Sequence, residues 1–332
     1  MGIKEIFEDI LYNDKHKLGR IGILMGGPST ERQISLNSGQ AVYESLKQSG
    51  CDVIAIDIKT DDIEENIDFL KSCRINCAFI ALHGYFGEDG QIQEILENLN
   101  IPYTGSGIMA SRLAMDKVSS RMIFEICGLN APKYKVIDNS FIQMQYYWDV
   151  SKEFRFPIVV KPVTHGSSVG LSIVDKKDDF IKAVELAFNF DKKVIVEEYI
   201  EGREVTVGVL NNDALPVIEI IPKSRFFDYQ AKYETGLTEY IVPAKLDKKI
   251  IRELQQKALM AHKALGCFSF SRVDMILKKN NFSVILEVNT IPGLTKNSLL
   301  PKAAKAAGID FSHLCLKLIR MAYEKAKQKQ AL

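Results

Sequence analysis

Apolar positions come in short bursts along this chain, and the spacing within each burst predicts the element it forms. Ile21, Ile23, Leu24 and Met25 make a strand-like run, a Gly26-Gly27-Pro28 turn follows, and Val42 and Leu46 continue at helical spacing. Val53–Ile56 and Ala78–Leu82 are further strand-like runs, so the amino-terminal part reads β-α-β and predicts a doubly wound parallel sheet. Ahead of it, Ile3, Ile6, Phe7, Ile10 and Leu11 predict a peripheral amphipathic helix ending near residue 18. Farther on, Val118–Cys127 reads as a helix, Phe156–Lys161 as a strand with Leu171–Val174 as its antiparallel partner, and Asp178–Asn189 as a helix. Lys193–Ile200 and Glu204–Leu210 read as two strands joined by a short turn. Pro222 to Tyr240 has neither period, which inside a compact domain marks a lid or an ordered functional loop. A helix over Lys248–Leu265, a hairpin and a closing helix from about Ser312 to Lys327 complete the chain.

The hairpin is the first place where the pattern carries chemistry. Its strands are Phe270–Leu277 and Ser283–Asn289, with Pro292-Gly293 stopping the second. Side chains alternate along a strand, so Arg272 shares a face with Asp274, and Glu287 with Asn289. A turn centred on Asn280-Asn281 sets Asp274 opposite Glu287 and Arg272 opposite Asn289. Facing carboxylates repel across a ladder. Either the face is simply solvated, or a cation sits between them, and a hard divalent ion such as Mg²⁺ suits these oxygen donors.

The totals narrow the class. At 332 residues the chain exceeds one typical core, so two or three domains are expected. Lys and Arg number 43 against 42 Asp and Glu, which argues against a nucleic-acid or anionic-membrane surface as the main partner. No apolar run reaches the length of about 18 residues that a spanning helix needs, and no signal-peptide core is visible, so a cytoplasmic protein is expected. The six cysteines are scattered through apolar segments and read as reduced core thiols.

Loops at strand ends supply the remaining candidates. Open α/β sheets bind ligands beyond the carboxyl ends of their strands. Glu31 and Ser35 after the first strand, and His83-Gly84 after Leu82, therefore point at one crevice, although an acid such as Glu31 also suits a helix N-terminus electrostatically. Lys117 heads the helix that follows a boundary near Met115, where a cation opposes the helix dipole, and holding phosphate would explain it. Lys161 ends a strand before Thr164-His-Gly-Ser-Ser-Val-Gly170, a loop able to aim N–H and hydroxyl groups at phosphate, or else a plain turn. Glu197 or Glu198, and Glu204, can take ribose hydroxyls, and the irregular segment offers Lys232 and Tyr233.

Taken together, Lys161 with its Gly/Ser flap, the acidic strands and a final hairpin carrying Arg-x-Asp and Glu-x-Asn resemble the ATP-grasp superfamily. The ordered set Gly26–Gly39, Ala81–Gly84, Glu88-Asp-Gly90, Tyr103–Gly107, Met115-Asp-Lys117, Gly166–Gly170, Ala231-Lys-Tyr233 and Glu287–Gly293 is similar to the signatures of D-alanine–D-alanine ligases, over about residues 20 to 325. The resemblance implies an α/β (α+β) ATP-grasp fold of three domains after an extension over residues 1–19. These are a doubly wound domain over 20–115, a central nucleotide-binding domain over 116–210, and a carboxyl-terminal antiparallel-sheet domain over 211–332 with a lid at 222–240. It implies ATP and Mg²⁺ (two ions) or Mn²⁺ as cofactors, D-alanine as substrate, a homodimer, and a role in peptidoglycan precursor synthesis. Asp274, Glu287 and Asn289 would hold metal. Lys117, Lys161 and Ser168 would hold phosphate, with Glu197, Glu198, Tyr199, Ile200 and Glu204 around the nucleoside. Glu31, Ser167 and Tyr233 would link the first substrate to the lid, with His83 beside them. Arg272 and Gly293 would face the oxyanion, and Lys232, Ser298 and Leu299 the acceptor carboxylate. His165, where the family commonly carries an acid, and Asn297, where many members have His, depart from the pattern. They leave D-lactate- or D-serine-accepting ligases, or another ATP-grasp carboxylate–amine ligase, as alternatives.

Overall fold

The computed structural model describes residues 18–140, 144–223 and 236–330. The expected amino-terminal helix, Lys232 and Tyr233 lie outside the described residues. The amino-terminal unit is built on β1 (Ile21–Gly26), α1 (Arg32–Gln48), β2 (Val53–Ile58), α2 (Ile63–Cys73) and β3 (Cys77–Ile80). Its three strands are parallel in the order β2-β1-β3. Alternation along β1 sends Ile21, Ile23 and Met25 to one face, against Val42 and Leu46 of α1, and Leu24 to the other, against Leu70 of α2. Helices therefore cover both faces, as a doubly wound sheet requires. The strand order reverses between β2 and β3, so the loops after β1 and β3 diverge at a topological switch point.

Helices α3 (Gln91–Asn98), α4 (Ile108–Met115) and α5 (Lys117–Ile126) lead to a second, antiparallel sheet. Asp116 caps α5 by accepting from the Ser119 N–H at 2.8 Å. The second sheet contains β4 (Tyr134–Asp138), then, after α6 (Met144–Lys152), β5 (Ile158–Pro162) and β6 (Ser172–Val174), and after α7 (Phe180–Phe188), β7 (Lys193–Glu198). Its order is β4-β7-β5-β6, with Ile158, Val160, Val194 and Val196 buried against α6 and α7. The expected pairing of β5 with β6 is present.

The third sheet gathers β8 (Arg203–Leu210), β9 (Asp213–Ala214), β10 (Ile218–Pro222), β11 (Thr238–Ile241) and, after α8 (Lys248–Ala264), β12 (Phe270–Leu277) and β13 (Ser283–Asn289). Its order is β11-β10-β8-β12-β13, with β9 on β8. Helices α9 (Leu299–Ala306) and α10 (Phe311–Gln330) follow, and α10 joins the core of the first sheet through Leu314, Leu318 and Ile319.

Two expectations are corrected. β7 and β8 do not pair: β7 lies between β4 and β5, while β8 lies between β10 and β12. Their connection, residues 199–202, crosses from one sheet to the other. Gly202 makes that crossing possible, because a Cβ there would sit 2.5 Å from the Leu277 carbonyl oxygen. The end of the segment expected to be irregular, Thr238–Tyr240, belongs to β11, recruited by antiparallel pairing with β10. By sheet membership β8 also belongs with the carboxyl-terminal strands, unlike the division at residue 210.

Candidate active site

The second and third sheets face each other across a cavity of about 500 Å³, lined in part by the 199–202 crossing. Lys117, Lys161, Glu197, Glu204, Asp274 and Glu287 line it, each delivered by a different element. Glu198, Tyr199 and Ile200 line it too, as consecutive residues entering the crossing. Glu197 is buried between two cations: Arg121 pairs with one carboxylate oxygen, and Lys161 Nζ lies 2.8 Å from the other. Burial alone would raise the Glu197 pKa, but Arg121 and Lys161 hold it below the usual carboxylate range. Lys117, also buried, donates to the His165 carbonyl oxygen at 2.6 Å. Burial, with the charges of Lys161 and Arg121 added, pushes Lys117 down to about 8, with Glu287 acting the other way. A negatively charged ligand would relieve this gathering of cations.

The loop after β5 bends over the cavity. Thr164 is pinned by Asp191, which accepts from its N–H at 2.8 Å and its hydroxyl at 2.7 Å. Ser167 and Ser168 have φ of +49° and +58°, a backbone that turns successive N–H groups toward one side. From this loop the Ser167 hydroxyl donates to Glu31, at the switch point of the first sheet. Glu31 stands at the N-cap position of α1, yet its side chain does not cap that helix. The choice left open by the sequence is thereby made: the buried carboxylate turns inward to the crevice, not back onto the helix end.

The terminal hairpin brings the metal candidates together. Asp274 pairs with Glu287 and Arg272 with Asn289, the facing pairs that the sequence predicts. The route differs, because the turn is shifted, with Leu277 opposite Ser283, and a β-bulge at Leu286 restores the register. Asp274 accepts from Arg272 Nε at 2.9 Å and Nη2 at 2.7 Å, from Thr206 Oγ1 at 2.6 Å, and from Asn289 Nδ2 at 3.0 Å. Asn289 Nδ2 also lies 3.4 Å from Glu287 Oε1. Two carboxylates and an amide form a convergent, all-oxygen donor set once the Asn289 amide turns over, and that chemistry fits Mg²⁺ or Mn²⁺. Beyond β13, Ser298 is the N-cap residue of α9 and Leu299 its first residue, so the opening N–H groups of that helix lack intrahelical partners. A Cβ on Gly293 would come within 3.0 Å of Ser298 Oγ, which brings these two candidates side by side.

Comparison with known proteins agrees with this arrangement. Family models described as D-ala D-ala ligase N-terminus and C-terminus match residues 20–67 with 61–106, and residues 123–320. The chain is 44% identical to the D-alanine--D-alanine ligase of Geotalea uraniireducens, over 95% of this chain and 99% of that one. The chain belongs to the D-alanine–D-alanine ligase family. Solved family structures have the same ATP-grasp fold. A Bacillus anthracis D-alanine--D-alanine ligase complexed with ATP superposes with a TM-score of 0.82 at 33% identity, covering 94% of this chain and 99% of that one. The VanG D-Ala:D-Ser ligase from Enterococcus faecalis gives 0.79 at 34% identity, covering 92% and 99%.

Set against the family pattern, the site gathers the expected residues of the cleft, flap and hairpin, and adds groups that sequence reasoning missed. Arg121 is fully buried and stacks 5.3 Å from the Tyr134 ring centroid. Its only signal in the sequence is a position one helical turn after Lys117. Glu88 lies within a quoted motif, but nothing marked it as touching the hairpin loop, where it accepts from the Ile291 N–H at 3.2 Å. His83, expected beside the substrate, has both ring nitrogens engaged by protein groups, Ser38 Oγ at 2.9 Å and the Ile291 carbonyl at 3.0 Å. Among the described residues no helix is long and apolar enough to cross a membrane.

Proposed function

We propose that this chain joins two molecules of D-alanine into D-alanyl-D-alanine at the expense of ATP, for cell-wall precursor synthesis in the cytoplasm. The observation that carries the reading is the contact between Ser167 of the flap and the buried Glu31. It joins a cation-lined nucleotide cleft to a carboxylate pocket suited to an amino acid's ammonium group. Family membership supports ATP as the nucleotide and a homodimer as the assembly.

ATP lies in the cleft with its adenine against the 198–200 backbone, its ribose near Glu204 and its phosphates on Lys117, Lys161 and Ser168. Asp274, Glu287 and Asn289 would hold Mg²⁺ or Mn²⁺, which when bound neutralises phosphate charge. The first D-alanine places its ammonium on Glu31 and its carboxylate toward the γ-phosphate. A carboxylate oxygen attacks the γ-phosphorus and ADP leaves, giving an acyl phosphate. The amine of the second D-alanine, its carboxylate held by Ser298, the Leu299 N–H and Lys232, attacks the acyl carbon. Arg272 and the Gly293 N–H stabilise the tetrahedral oxyanion, which collapses to the peptide as phosphate departs and nitrogen gives up a proton. Ser167 and Tyr233 close the flap and lid over Glu31, keeping water from the acyl phosphate.

Purified protein with ATP and Mg²⁺ should release phosphate and form dipeptide when D-alanine is added, and not with L-alanine. No release with D-alanine would overturn the proposal. Equal ligation of D-lactate or D-serine as second substrate would assign the chain to the depsipeptide- or D-serine-forming branch instead.

A further inference from the structure

Gly293 sits in a loop that the amino-terminal sheet grips from two sides. Glu88 bridges the Gly84 N–H, at 2.8 Å, and the Ile291 N–H, at 3.2 Å. The Ile291 carbonyl lies 3.0 Å from His83 Nδ1, and a carbonyl can only accept, so Nδ1 carries the ring proton. His83 Nε2 is then an acceptor and takes the Ser38 hydroxyl proton at 2.9 Å. The Ser38 oxygen in turn accepts from the Leu294 N–H at 3.3 Å. Ser38, His83 and Ile291 are buried, and burial above all lowers the His83 pKa, in keeping with a neutral ring. Both backbone groups of Ile291 and the N–H of Leu294 are thus held by three side chains from the opposite unit. They bracket Gly293.

We infer that Ser38, His83 and Glu88 form a clamp that aims the Gly293 N–H at the oxyanion developing on the reacting carbon, making His83 a positioning residue and not a substrate ligand. The inference rests on the reading of Gly293 as an oxyanion donor given above. Such a donor is worth about a hundredfold to a thousandfold in rate, and misplacement by about 1 Å costs on the order of a hundredfold. The clamp serves the amine's attack, which forms the tetrahedral oxyanion, more than the phosphoryl transfer before it. Loosening it should therefore leave acyl phosphate to hydrolyse.

The test compares His83→Asn, whose amide nitrogen replaces Nδ1 and keeps the Ile291 bond, with His83→Gln, whose amide reaches the Nε2 position and loses it. The readouts are kcat, KM for D-alanine and for ATP, and ADP released per dipeptide formed. His83→Gln should lower kcat by roughly ten- to a hundredfold at near-constant KM and raise the ADP-to-dipeptide ratio, while His83→Asn recovers most of both. Should His83→Gln fail to fold, Ser38→Ala, which deletes only a hydroxyl, must raise the same ratio. A rise in KM for D-alanine in both His83 variants, or ADP and dipeptide falling in step, would overturn the clamp. Parent protein that turns over ATP with D-alanine but makes no dipeptide would overturn the functional reading itself, a result visible before any variant is made.

Discussion

Arg121→Met is the sharpest test of the electrostatics behind the nucleotide cleft. Arg121 has no exposed surface, and its partner Glu197 keeps only 4% of its side chain exposed. Removing one member of a buried pair leaves an uncompensated charge and costs about 3–5 kcal/mol, with stacking on Tyr134 contributing roughly 0.5–2 kcal/mol of the loss. A domain stable by about 5–15 kcal/mol would lose about a fifth or more of that margin. Lys161 keeps its contact with Glu197 in the variant, so the cost should fall toward the lower end. Glu197→Gln alone strands two cations and should cost a similar amount. The double variant leaves only Lys161, which borders the cavity, and should be less destabilised than the sum of the singles by about 2 kcal/mol or more. Urea unfolding followed by the fluorescence of Trp148, the sole tryptophan and packed half-buried against the second sheet's core, reads all three variants. A cost below about 1 kcal/mol for Arg121→Met, or strict additivity in the double variant, would refute the argument.

Two other perturbations follow from the geometry. Gly84→Ala should raise KM for D-alanine about tenfold or more, because at φ +69° its Cβ would sit 2.6 Å from Glu31 Oε2 and displace that carboxylate; an unchanged saturation curve would count against Glu31 as the ammonium site. His262, hydrogen-bonded to Ser271 at 2.7 Å, is pushed by burial from 6.5 down to about 4. The unfolded chain therefore binds a proton that the folded one refuses in that interval, so stability is full above pH 6.5 and declines by roughly 3 kcal/mol toward pH 4; His262→Asn should flatten the slope in pH-dependent denaturation.

What the sequence revealed, and what it hid, divides along physical lines. Alternation fixes which side chains share a strand face, so Arg272 with Asp274 and Glu287 with Asn289 could be read in advance, whereas their cross-strand pairing was expected from a turn that is in fact shifted and compensated by the bulge at Leu286. Helix and strand periods likewise located most elements of the first sheet and the long helices α8 and α10. Strand partnership is another matter. β7 and β8 carry similar Val-rich patterns, and nothing local says that one joins the second sheet and the other the third. The buried Arg121 was equally hidden, since its place is set by Glu197 on a distant strand. Glu31 was visible as a candidate, but two uses of an acid at a helix start were open until the flap serine showed which way it faces.

The bulge at Leu286 has a consequence for how the cleft is furnished. A tighter hairpin with no bulge would have faced Asp274 with Glu287 just as well, but it would have sent Leu286 to the opposite side of the sheet. The route taken spends one extra residue and turns Leu286 and Glu287 toward the same cavity. Together with Ile276 and Leu171, Leu286 gives the cavity an apolar surface, directly beside the oxygen donors of Asp274 and Glu287. Greasy contact and ion chemistry are thus placed on adjacent residues of one strand, a spacing that a regular strand does not allow.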